Sequence, residues 1–174
     1  MKFSNIINVS LIYATFRAST PIIYAALCAA ITQQANILNV GTEGIMLMGA
    51  FMAVAISYTT GSWMLGVLAA MLSGMFMAWI IAIGHIRYKA DNCAIGMGVN
   101  LLAVALTKYL LNAILGQQGS FSDPKIIGIP KVHIPFLKNI PVLNDIFNDW
   151  SITEWFVIIL VIAVWFVFYK TVWG

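Results

Sequence analysis

The stretch GIMLMGAFMAVAISYTTGSWMLGVLAAMLSGMFMAWIIAIGHI, Gly44 to Ile86, contains no Lys, Arg, Asp or Glu. Crossing the hydrocarbon layer of a bilayer takes about 20 helical residues, so this stretch suffices for two crossings, with turn residues Thr59 to Ser62 between them. Upstream, Ala18 to Thr42 is equally free of charge. The chain of 174 residues is 61% hydrophobic and only 9% charged, against about a quarter charged in a typical soluble domain. So small a chain has too little surrounding protein to bury so many apolar helices. Lipid is their solvent, and the expected fold is an all-α polytopic transmembrane helix bundle of five or six membrane segments.

The segments follow from where polar residues interrupt the apolar runs. Phe3 to Phe16, broken by Asn5 and Asn8, reads as a thin span or an interfacial helix. Arg17, Ser19, Thr20 and Pro21 punctuate the chain, and Ile22 to Thr32 is expected as a second segment. Asn36, Asn39 and Gly41 end it. Further segments are expected from Thr42 or Glu43 to Tyr58, Trp63 to Gly84, Cys93 to Leu115 and Trp155 to Tyr169, with another turn at Gly116 to Ser120.

Orientation follows from the bias of basic residues toward cytoplasmic loops. His85, Arg87 and Lys89 form the clearest cluster, which places that loop in the cytoplasm, Gln117 to Thr153 outside and Lys170 inside. Counting Phe3 to Phe16 as a span puts Lys2 inside and Arg17 at the outer boundary. Pro124, Pro130, Pro135 and Pro141 make the outer connection extended, with a short helix expected near Leu143 to Trp150. Trp150, Trp155 and Trp165 mark interface depth or pack within the bundle.

The net charge of +3 is too small and too scattered to serve nucleic acid, so no such partner is expected. Cys28 and Cys93 lack metal-ligand spacing and read as small buried hydrophobes. No removable signal peptide is read at the N-terminus. There is no nucleophile triad motif, no phosphate-binding GxxxxGK and no His/Cys metal cluster, so no catalytic residue, cofactor or metal is expected. Any use of ATP requires another polypeptide.

Two polar stretches carry more than hydrophobicity. QQANILNVGTEGIMLMG, Gln33 to Gly49, sets amides and one acid between apolar runs. Asn39 or Thr42 is a candidate cap for the helix that follows, and Glu43 suits its positive end. Gly44 and Gly49 permit close helix approach. Glu43 is then either part of a polar inter-helix turn or an intramembrane acid on a transport path. In ADNCAIGMGVNLLAVALTKY, Ala90 to Tyr109, Gly96, Gly98 and Asn100 recur at helical spacing with Ala103 and Thr107. They serve tight packing, with Asn100 as an interhelical hydrogen-bond donor, or they line a translocation path. Asp91 fits a helix cap. The candidate path or packing residues are therefore Asn39, Gly41, Glu43, Gly44, Gly49, Gly96 and Asn100.

TPIIYAALCAAI (Thr20 to Ile31), LNVGTEGIMLMGAF (Leu38 to Phe51), Ala90 to Leu111 and FYKTVWG (Phe168 to Gly174) together resemble the permease subunits of bacterial ABC importers for nucleosides and simple sugars. The chain departs from the family's usual small polar residue at Ile95. The resemblance implies the first half of a cobalamin-type importer permease in the bacterial inner membrane. It also implies ABC ATPase subunits, a second permease subunit and an extracytoplasmic solute-binding protein as partners. Under it, residues 1–174 form one transmembrane permease domain, incomplete before the coupling region, with 116–153 as its extracytoplasmic connection. An ion-coupled secondary transporter using Glu43 and Asp91, and a non-transporting membrane scaffold, are the rival readings.

Overall fold

The computed structural model describes residues 9–116, 126–130 and 150–170. Five helices make up most of it: α1 (Val9–Gln34), α2 (Thr42–Thr60), α3 (Trp63–Ile86), α4 (Asn92–Leu115) and α5 (Ile152–Lys170). All five are long and apolar enough to cross a membrane. The chain is thus a multi-pass helical membrane protein, and α2 to α5 begin and end within a few residues of where the sequence places them.

The start of the chain differs from expectation. The described part of Phe3 to Phe16, from Val9 on, and Ile22 to Thr32 are not separate segments: α1 runs unbroken through Arg17 and Pro21. The hydroxyls that read as punctuation bond back into their own helix, Ser19 to the Thr15 carbonyl and Thr20 to that of Phe16, as the Thr15 hydroxyl does to that of Leu11. A hydroxyl satisfied in this way carries no turn signal, and membrane helices tolerate Pro where neighbouring groups bond locally. The arrangement that puts Lys2 inside depends on that turn; Lys2 itself lies outside the described residues, as do Thr171 to Gly174 and all but Trp150 of the helix expected near Leu143 to Trp150.

The chain divides into two compact units. In the first, Met1–Leu27 with Ile129–Gly174, the Tyr24 hydroxyl donates to the Thr153 carbonyl at 2.9 Å. Phe16 and Trp150 stack at 5.8 Å, and Trp150 meets Trp155 at 5.5 Å. Trp150 is buried, so packing rather than interface depth accounts for it. At the head of α5, Glu154 Oε2 accepts from the Ser151 N–H at 2.7 Å. This is the reach-back bond of a capping box, and Ser-x-x-Glu is its sequence sign.

The second unit, Cys28–Gly128, holds α2, α3, α4 and about the last two turns of α1. α2 and α3 form an antiparallel hairpin closed by Gly61 and Ser62, with Gly61 in the left-handed region (φ 66°) donating to the Ser57 carbonyl. Cβ atoms built on Gly66, Gly49 and Gly74 would meet, in turn, the Ala53 carbonyl, the Ala70 carbonyl and Ile45, which fixes the register along the hairpin. α4 runs parallel to α2, with Thr107 beside Met48 and Asn100 beside Gly44. Met48, Phe51, Ala55, Met77, Ile81 and Val99 form the buried core between the three helices. Ser57 is buried near the hairpin end of α2 and donates to the Ile127 carbonyl at 2.9 Å. Cys28 is exposed and Cys93 only half-buried, contrary to the expectation that both are buried; both thiols are free.

Candidate functional site

The connection between α1 and α2 is where the backbone leaves regular structure. Asn36 takes a left-handed conformation (φ 59°), donates to the Gln33 carbonyl at 3.0 Å, and Ile37 donates to that of Thr32 at 3.1 Å. These are the two bonds of a Schellman motif, with Asn where Gly is usual. Ile37 to Val40 then runs on without helical structure to the start of α2.

That run descends into the bundle. The rim at this end carries Arg87, Lys89 and Asp91, all exposed, between the end of α3 and the start of α4. Gly41 sits against Ile81, five residues inside the end of α3, or roughly 7 Å at the α-helical rise. Gly44 sits against Asn100, eight residues inside the start of α4, or roughly 12 Å. The first turn of α2 therefore opens about 10 Å below the charged rim. Irregular backbone at such depth persists only where protein buries it or water fills a cavity beside it.

Asn100 holds this turn in place. Its Oδ1 accepts from the Gly44 N–H at 2.7 Å, and its Nδ2 donates to the Val40 carbonyl at 3.1 Å. The N–H groups of a first helical turn have no partner within the helix, so an amide from α4 supplies what a local cap normally does. Neither expected cap does so. Gly41 occupies the N-cap position with no side-chain bond, and the Thr42 hydroxyl donates to the Asn39 carbonyl instead. Asn39 Oδ1 is buried and unpartnered. At α4, by contrast, Asp91 caps as expected, accepting from Cys93 and Ala94.

Glycines make the clamp sterically possible. A Cβ on Gly44 would lie 2.8 Å from Asn100 Oδ1 and 2.9 Å from its Cα; one on Gly96 would lie 2.9 Å from the Gly41 nitrogen. Gly41, Gly44, Gly96 and Asn100 thus form one cluster, with Ala103 fully buried beside it. Gly49 is not part of it: its nearest neighbour is the Ala70 carbonyl at 3.7 Å, an ordinary contact. Gly98 faces open space.

Glu43, next to the clamp, is exposed and makes no hydrogen bond or ion pair among the described residues. It opens with Gly44, Leu47, Asn100, Leu101 and Val104 onto a cavity of about 210 Å³. Sequence reasoning misses Val40 and Ile81 as clamp partners, and Leu47, Leu101 and Val104 as cavity walls. Aliphatic residues in an aliphatic chain give no local sign of such a role. No three metal-binding side chains gather among the described residues.

Comparisons with known proteins agree on the kind of protein to which the chain is similar. Residues 11–174 match the branched-chain amino acid transport system / permease component family. The chain is 34% identical over 164 residues to the nucleoside ABC transporter permease protein NupC of Lactococcus lactis subsp. cremoris, covering 90% of this chain and 50% of that protein. It is 32% identical over 179 residues to the guanosine ABC transporter permease protein NupQ of Bacillus subtilis, covering 98% and 54%. It is 28% identical over 165 residues to the putative glucose ABC transporter permease protein TsgC13 of Haloferax volcanii, covering 92% and 48%. The chain spans about half the length of these curated relatives. No solved structure matches. With nearly its whole length aligned to the family and five membrane-spanning helices in place, the chain belongs to the branched-chain amino acid transport system / permease component family.

Proposed function

We propose that this chain is the permease portion of an ATP-driven importer for nucleosides or simple sugars in the bacterial inner membrane, and that the turn between α1 and α2, with the facing side of α4, forms part of the solute path. The observation that carries the reading is the sunken start of α2. Transporters place helix breaks near the solute because a helix terminus offers unpaired backbone groups where a continuous helix offers none. Here the break lies beside a cavity, is fixed by Asn100 and exposes an acid. Asn39, Gly41, Glu43, Gly44, Gly96 and Asn100 belong to that region, with the glycines and Asn100 shaping it and Glu43 facing the cavity. Gly49 serves helix packing.

The chain performs no catalysis in this reading. ATP hydrolysis belongs to ABC ATPase subunits, a second permease subunit completes the path, and an extracytoplasmic binding protein delivers the solute. The complete transporter, reconstituted with these partners, is expected to take up guanosine or glucose only with ATP and the binding protein present. Uptake driven by an ion gradient without ATPase would instead favour a secondary transporter using Glu43. Stable assembly with uptake under neither condition would favour a scaffold.

A further inference from the structure

We propose that Glu43 recognises hydroxyls in the solute path: its carboxylate accepts hydrogen bonds from adjacent hydroxyls of a sugar ring whose C–H face rests on Leu47, Leu101 and Val104. The proposal depends on the reading above that this cavity lies on the path, and it names the part of the solute that the cavity holds.

Glu43 lies about 10 Å inside the charged rim, at a depth where acyl chains cannot solvate a carboxylate. It has no partner among the described residues. The proposal assigns as its partner a polar solute in the space it faces. The side chains lining that space are of two chemical kinds, polar at Glu43 and Asn100 and aliphatic at Leu47, Leu101 and Val104. A sugar ring has the same division, hydroxyl edges around an apolar C–H face. An apolar solute would leave the acid unsatisfied, whereas a lone metal ion would find, among the described residues lining the space, one carboxylate and no further acid or imidazole.

The inventory of donors and acceptors points the same way. An ionised carboxylate only accepts, through two oxygens, and two adjacent hydroxyls offer two donors. The Asn100 amide has spent one N–H on Val40 and one lone pair on Gly44, which leaves one of each for a third hydroxyl or the ring oxygen. The volume of about 210 Å³ is below the ~300–1,000 Å³ of a complete small-molecule site. It fits a ring, with the rest of a nucleoside extending beyond it.

The test compares uptake by the complete reconstituted transporter, wild type and E43Q, of guanosine against 2′,3′-dideoxyguanosine; for a transporter that carries glucose, the pair is glucose against 2-deoxyglucose. The binding protein is common to both variants, so its own preference cancels in the comparison. A charge-assisted hydrogen bond corresponds to roughly a ten- to hundred-fold preference, and E43Q is expected to lose that much of the preference for the hydroxylated solute. The preference between guanosine and inosine is expected to stay as it is. An unchanged hydroxyl preference in an active E43Q transporter overturns the proposal, and so does a change confined to guanosine against inosine, which would place the base at Glu43. Wild-type protein with no ATP-driven uptake of either solute overturns the underlying reading as well, so the two failures are distinguishable. Should E43Q not assemble with its ATPase, E43D keeps the charge one methylene further back; an intermediate preference supports the proposal and a wild-type preference overturns it.

Discussion

Two of the described helices begin with an acid in the first turn, and the two acids are used differently. Glu154, at the head of α5, is buried and bends back to the Ser151 N–H, so its charge serves its own helix. Glu43, at the head of α2, makes no such bond; Asn100 of another helix does the capping there. An acid closed on its own backbone is explained by helix formation alone. One left open, while a different residue satisfies the backbone beside it, is free to bind something else.

The contrast can be tested most severely at Asn100. Asn100→Leu leaves the Gly44 N–H and the Val40 carbonyl without their partner, at about 1–3 kcal/mol for each group if it stays buried. Thermal unfolding in detergent should show a greater loss for this variant than for any single substitution at Gly96, Glu154 or Glu43. Next, Gly96→Ala forces a methyl against the backbone of Gly41 and Val40, and overpacking of this kind costs about 1–3 kcal/mol. Gly98→Ala, in open space on the same helix, is its control and should be neutral or slightly stabilising.

The smaller effects decide the contrast itself. Glu154→Ala should lose about 1 kcal/mol, most of which Glu154→Gln should recover because Gln can make the same bond. Glu43→Ala should change stability by no more than about 0.5 kcal/mol, as an exposed residue with no structural partner does. A loss at Glu43 equal to that at Glu154 would show that both acids serve folding.

How much of this is legible in the sequence follows from the range of the interactions. Several bounds of α2 to α5, the start of α2 excepted, are set by local features, such as Gly61 and Gly116 in left-handed turns and Asp91 at a cap, and local features can be read from neighbouring residues. The Arg17 to Pro21 region misleads because side-chain hydroxyls look the same on paper whether they end a helix or bond within it. The glycines and Asn100 are recognisable as a group, since Gly96, Gly98 and Asn100 recur at helical spacing and Gly41 and Gly44 flank the one acid of their stretch. Their partners are not. Which turn of α4 meets the start of α2 depends on the relative heights of two helices, and no local pattern encodes that. The depth of Glu43 is hidden for the same reason, although its identity is plain.

The two-residue turn at Gly61 and Ser62 has a consequence for how the protein is made. α2 is the less apolar of the two helices it joins and carries an acid at its head, whereas α3 is strongly apolar. A connection this short gives neither helix room to settle in the bilayer independently, so the pair enters as a hairpin, and the affinity of α3 for lipid draws α2 in with it. Lengthening that turn with a flexible insert should therefore impair biogenesis before it impairs any contact in the finished protein.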